Sequence, residues 1–171
     1  MNLRKLLKLI VILAIAELLI YYFSPADTIP EGVIIDKIIV LKSERKLFAY
    51  SNGKEVAKYT IAMGEAGNKM YEGDRKTPEG FYTINLKNPN SNFYKALVIS
   101  YPNQEDMLRA SKLNKPAGGD IEIHGLKNGM GYIGKFHCWI NWTNGCIALT
   151  NKEMDQLYAH TPAGTPIEIR R

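Results

Sequence analysis

Beyond residue 26 no stretch of this chain carries a helical apolar repeat long enough to bridge two parallel strands, and that absence narrows the fold more than any other feature. Short apolar runs separated by Gly, Pro and Asn turns take its place, the pattern of a mainly β domain with short helices. Lys37 to Lys42 predicts a strand, Ser43-Glu44-Arg45 a turn, and Leu47 to Tyr50 the partner strand. Asn52-Gly53 predicts a type I′ hairpin, because both residues tolerate positive φ, and Val56 to Met63 follows as a third strand. Further strands are expected at Gly80 to Asn85, Leu97 to Ser100, Ile121 to His124 and Pro166 to Ile169. Two peripheral helices fit, one capped by Asn103 and running toward Leu113, the other from Asn151 through Tyr158. A parallel sheet is disfavoured.

The N-terminus is different in kind. Arg4, Lys5 and Lys8 precede an apolar run from Leu9 to Phe23 that only Glu17 interrupts, so residues 1–26 read as a signal-anchor or a signal peptide. Leu6 to Phe23, 18 residues, would cover about 27 Å as a helix, just short of a ~30 Å hydrocarbon core. The basic residues argue for a cytoplasmic N-terminus, with Tyr21, Tyr22 and Phe23 at the far interface. Glu17 opposes insertion by roughly 2.5 to 3.5 kcal/mol, and Ser24 and Ala26 are small residues spaced as signal peptidase sites require. Under both readings the rest of the chain is exported, to the periplasm or another extracytoplasmic space, and stays tethered to the cytoplasmic membrane if the segment is retained. Residues 27–35 are expected to be a linker and residues 36–171 one domain with its own core.

The formal charge is +5, and the first 26 residues supply +2 of it. The remaining +3 is too weak a balance to imply a nucleic-acid partner, though it suits an anionic surface.

Two segments carry chemistry: Ile123-His124-Gly125 and, 22 residues beyond that histidine, Asn141 to Leu149 around Gly145-Cys146. A thiol acts as a nucleophile only as thiolate, and an imidazole beside it can take its proton while a third group orients the ring. Gly145 before Cys146 permits a tight turn that aims backbone N–H groups at one point, as an oxyanion hole requires. Taken singly, Cys146 reads equally as a buried apolar thiol and His124 as a hydrogen-bonded core histidine.

Together these residues resemble the L,D-transpeptidases of the YkuD type, whose pattern is His-Gly followed by Ser/Thr-x-Gly-Cys and an apolar residue. Here it stands as His124-Gly125 and Thr143-Asn144-Gly145-Cys146-Ile147. The stretch Gly73-Asp74-Arg75-Lys76-Thr77-Pro78-Glu79-Gly80-Phe81-Tyr82 is similar to the family's Gly-Asp-x-x-Thr-Pro-x-Gly-x-Tyr, and the resemblance extends over roughly Asp36 to Ile169. It implies a β-sandwich-like catalytic domain in which Cys146 attacks a carbonyl of a peptidoglycan stem peptide, forms a thioester and passes the acyl group to an amine. It further implies that His124 deprotonates Cys146, that the Gly125 carbonyl orients the ring, that the N–H groups of Cys146 and Gly145 hold the oxyanion, and that no cofactor or metal is required.

The sequence departs from the common form at Asn144, where many members carry His, and in a longer segment between His124 and Cys146. That segment includes His137, a secondary site candidate, and Trp139; with Trp142 the latter is read as walling a substrate groove. Thr143 and Asn144 complete the expected substrate-binding set. Cys138 raises a regulatory disulfide to Cys146, and His124, His137, Cys138 and Cys146 raise a zinc site, which their spacing disfavours. The alternatives to acyl transfer are an L,D-carboxypeptidase or amidase using the same thioester, and a non-catalytic peptidoglycan-binding module. Oligomeric state is left open.

Overall fold

Strict alternation of buried and outward side chains builds the first half of the sheet. In β1 (Lys37–Leu41) Ile38 and Val40 point inward, in β2 (Lys46–Ser51) Leu47 and Ala49 do the same, and β3 (Lys54–Thr60) adds Ala57 and Tyr59. The β2–β3 turn holds Asn52 at φ 50° and Gly53 at φ 73°, as a type I′ hairpin demands. This is a computed structural model, and it describes residues 2–171.

The remaining elements are α1 (Leu3–Phe23), β4 (Gly80–Ser91), β5 (Tyr94–Ile99), α2 (Gln104–Ser111), β6 (Glu122–His124), a 3-10 segment (Gly131–Trp139) broken at Gly134, β7 (Ile147–Ala148), α3 (Asn151–His160) and β8 (Pro166–Arg170). The strand order is β3-β2-β1-β8-β4-β5-β6-β7. β4 serves two half-sheets: Gly80–Thr83 pairs with β8, and Ile84–Ser91 pairs with β5 across register shifts. The curled sheet closes on itself where Ala62, just past β3, exchanges both backbone hydrogen bonds with Ala148 of β7, at 3.1 and 2.8 Å. A core of Ile35, Ile38, Leu47, Ile84, Leu97 and Ile123 fills the interior, with Met154 and Leu157 of α3 packed into it. The mainly β class with short helices and one N-terminal apolar helix is what the sequence led us to expect.

Two pairings correct the antiparallel expectation. β1 runs parallel to β8 (Ile38↔Ile167) and β6 parallel to β7 (Ile123↔Ile147). Parallel neighbours need a long connection but not a helical one: the whole domain joins β1 to β8, and the segment carrying the 3-10 turns joins β6 to β7. The expected helices form with capping boxes, Asn103 with Asp106 for α2 and Thr150 with Glu153 for α3.

α1 begins three residues earlier than the segment taken from the sequence, with Asn2 as its cap. Its 21 residues extend about 31 Å, a full hydrocarbon thickness. The stretch 27–35, expected as a linker, is held against the domain. Ile29 and Ile35 are buried, the Ile29 N–H donates to Gln156 Oε1 (2.9 Å), the Lys58 N–H donates to Asp27 Oδ2 (2.9 Å), and the Ile35 N–H donates to the His160 carbonyl (2.9 Å).

Candidate active site

His124 is the last residue of β6 and sits between β5 (opposite Ala96) and β7 (opposite Ala148), which makes it a buried ring at the rim of the sheet. Its Nδ1 lies 2.7 Å from the Gly125 carbonyl oxygen. A carbonyl can only accept, so Nδ1 carries the proton and Nε2 keeps its lone pair. Burial lowers the ring below the ordinary histidine pKa, with the Gly125 hydrogen bond pulling weakly the other way. The imidazole therefore rests neutral, with its basic nitrogen unspent.

Cys146 enters β7 two residues before Ala148, on the same face of the ribbon. It is half-buried, and its thiol donates to the Asp120 carbonyl at 3.4 Å. Burial pushes the thiol up to about 11. At neutral pH both side chains thus rest uncharged, as thiol and neutral imidazole.

The turn at Cys146 is built by its neighbours. Buried Thr143 Oγ1 donates to the Cys146 carbonyl (2.6 Å) and accepts from the Gly145 N–H (3.2 Å). The expected oxyanion donor at Gly145 is therefore engaged by Thr143 in the resting molecule. Gly145 adopts φ +126°, and a Cβ there would lie 2.7 Å from the Lys76 carbonyl oxygen. Gly64 is as tightly wedged, since a Cβ on it would meet the Arg75 carbonyl oxygen at 2.1 Å and Gly145 Cα at 3.1 Å.

The Gly73–Tyr82 stretch thus buttresses the nucleophile turn. Asp74 fixes its shape: Oδ2 accepts from Met70 N (2.6 Å), and Oδ1 from Lys76 N and Lys69 Nζ (3.1 Å each). Burial opposes the Asp74 charge, but these donors outweigh it and hold the carboxyl below its usual range.

His124, His137, Trp142, Thr143, Asn144 and Cys146 all face one cavity of about 590 Å³. Its other walls are apolar: Ile133 and Phe136, from the segment that the sequence offered as a lid, and Phe93, Leu126, Met130 and Ile140, which were not read from the sequence, with Lys127 as the single cation. Phe93 packs on His124 at a ring separation of 4.6 Å, and Trp142 meets the same ring edge-on at 5.9 Å. The fact that Phe93 ends a hairpin more than thirty residues away in sequence hid its role.

His137 is buried, with Nδ1 lacking any partner, and burial followed by repulsion from His124 draws its pKa down to about 4. Trp139 does not wall the cavity; it meets Phe136 edge-on at 4.8 Å and is largely exposed. Cys138 faces away, its thiol donating to the Thr60 carbonyl (3.2 Å), and both cysteines are free. Among the described residues no three His, Cys, Asp or Glu side chains converge as a metal-binding group.

Comparison with known proteins places this geometry. Residues 35–169 match the model of YkuD, the L,D-transpeptidase catalytic domain. The chain belongs to the YkuD family.

Two curated relatives are provisionally named L,D-transpeptidases. YafK of Escherichia coli (strain K12) is 31% identical over 132 residues, 71% of this chain and 45% of YafK. YqjB of Bacillus subtilis (strain 168) is 29% identical over 135 residues, 77% of this chain and 69% of YqjB. The chain thus spans about half the length of the first of these. Among solved structures, the helical cell shape determining protein Pgp2 of Campylobacter jejuni (K307A mutant) superposes with a TM-score of 0.61 at 25% identity, over 88% of this chain and 52% of Pgp2. The YkuD domain is therefore the whole of the sheet described above, with the thiol and imidazole at its closing seam.

Proposed function

We propose that this YkuD domain is a cysteine acyltransferase acting on peptidoglycan stem peptides outside the cytoplasmic membrane. One observation carries the reading: the Gly125 carbonyl fixes the His124 tautomer, so that an unprotonated Nε2 and the Cys146 thiol face the same cavity. Nε2 takes the thiol proton as sulfur attacks the scissile carbonyl. The Cys146 N–H stabilises the oxyanion, and the imidazolium returns the proton to the departing amine. The resulting thioester is resolved by a second amine, which restores the thiol.

The apolar walls favour an amine over water as acceptor, because they leave little polar surface to hold a hydrolytic water near the thioester. Thr143, Asn144, Trp142 and His137 line the substrate path. α1 is read as the membrane tether, which puts the domain on the periplasmic or extracytoplasmic side, and the likeness to Pgp2 supports a part in cell shape.

The test is mass spectrometry of wild type and Cys146→Ala incubated with a disaccharide-tetrapeptide and, separately, with a carbapenem. Acyl mass on wild type alone, together with peptide dimers, is the expected result. Tripeptide without dimers makes the enzyme a carboxypeptidase on this substrate, and no adduct at all returns the domain to a binding role.

A further inference from the structure

The last turn of α1 does not leave the domain as a free tether. The Tyr22 hydroxyl donates to the Tyr132 carbonyl at 2.6 Å, the Tyr21 hydroxyl to the Lys135 carbonyl at 3.2 Å, and Lys135 Nζ returns a bond to Ser24 Oγ at 2.6 Å. The Tyr22 ring stacks on Phe136 at 5.3 Å and covers Gly134, where a Cβ would come within 2.8 Å of it. All of these partners belong to the 3-10 segment, which also supplies Ile133, Phe136 and His137 to the active-site cavity. The pinned strap 27–35 leaves no slack between helix and domain.

We infer that the 3-10 segment Gly131–Trp139, with Ile140, is a membrane-docking face that seats the mouth of the active-site cavity on the outer leaflet; this rests on reading α1 as the tether. No residue of α1 is buried by protein, so its apolar length is free to sit in lipid. Where it leaves the hydrocarbon, the segment presents Tyr132 (73% exposed), Trp139 (58%) and Ile140 (67%) beside Phe23 (73%). Solvent gives such side chains no partner, whereas the headgroup boundary favours amphipathic rings. The charge agrees. Lys127 lines the cavity, and Lys135 and Lys152 line the groove beneath Tyr22 and Phe23; neither is lined by an acidic residue, while Asp27 and Glu153 line the adjoining pocket beside Tyr21 and Lys135. Anionic headgroups complement such a rim. Acyl donors or acceptors held at the membrane surface are then the ones within reach of Cys146.

The test uses the full chain in lipid nanodiscs containing anionic lipid, with or without acyl chains brominated near the headgroup. Trp142→Phe leaves Trp139 as the sole indole, and Trp139→Phe leaves Trp142. The expected result is loss of Trp139 emission in brominated discs with Trp142 emission unaffected. Equal Trp139 emission in both discs overturns the docking face. Wild type, carrying both indoles, guards against a misfolded variant: it should lose part of its emission in the same discs, and an unchanged signal is again a refutation. Resistance of the full chain to alkaline carbonate extraction from vesicles separates the two readings. A chain that washes off removes tether and docking face together, whereas a retained chain with unquenched Trp139 removes the docking face alone.

Discussion

Thr143 ties a loop around Cys146: one hydroxyl donates to the Cys146 carbonyl at 2.6 Å and accepts the N–H of Gly145 before it at 3.2 Å. Removing that hydroxyl leaves a donor and an acceptor without partners at a buried turn. Thr143→Ala should cost about 1–3 kcal/mol of stability in denaturant unfolding. It should also slow acylation by a carbapenem, because the Cys146 N–H loses its aim. Thr143→Ser keeps the hydroxyl and should restore most of both.

The resting protonation states set the pH dependence of acylation. The thiol, pushed up to about 11, is neutral at physiological pH, and His124 is displaced below its ordinary value. Only a neutral ring accepts the thiol proton, so the single-turnover acylation rate should hold steady as pH falls past the ordinary imidazole value of about 6.5 and decline only below it. An acid limb at or above that value contradicts the assignment. His124→Gln should slow acylation by about 10²–10⁴.

His137 makes a separate, thermodynamic prediction. Its folded pKa is about 4, well below the unfolded value, so on acidification the unfolded chain takes the proton first. The stability it contributes is complete above about pH 6.5 and is lost as pH falls through 4, amounting to about 3 kcal/mol in all. Unfolding by denaturant at several pH values should show this acid sensitivity in wild type and a shallower slope in His137→Phe.

Asp74 and Lys69 form an ion pair at 3.1 Å with each side chain only 4% exposed. Breaking one side of such a pair strands the other charge, so Asp74→Asn should destabilise by about 3–5 kcal/mol in the same unfolding assay. Because the loop they shape backs Gly145, the residual folded protein should also acylate more slowly. Replacing both partners with apolar residues should recover stability beyond the single change, though not the acylation rate.

The sequence made β1 to β3 legible because alternation and Asn52-Gly53 are local signals, and it brought forward His124, Gly125 and Cys146 as candidates because they stand in short glycine-flanked motifs. β7 was hidden: two residues have no periodicity, and Ile147–Ala148 is a strand only because Ile123 and Ala62 bracket it. The far half of β4, Leu86–Ser91, was hidden by its polar residues and Pro89, which a strand at a register shift tolerates. The apolar cavity walls were hidden for a third reason. Phe93, Met130 and Ile140 are far apart in sequence, and no spacing rule brings them together. The helical repeat of α1 was plain, yet its grip on the 3-10 segment depends on Tyr22 meeting a glycine, Gly134, over a hundred residues away.

The seam between Ala62 and Ala148 has a consequence for how the protein acquires its chemistry. The thiol stands just before β7, whereas the residue that pins β7, Ala62, lies 86 residues before its partner Ala148. So distant a pairing is slow to form, and a nascent or clipped polypeptide lacks the frame that orders the nucleophile. Under the proposed function, an ordered thiol is thereby available only once this long-range closure has formed.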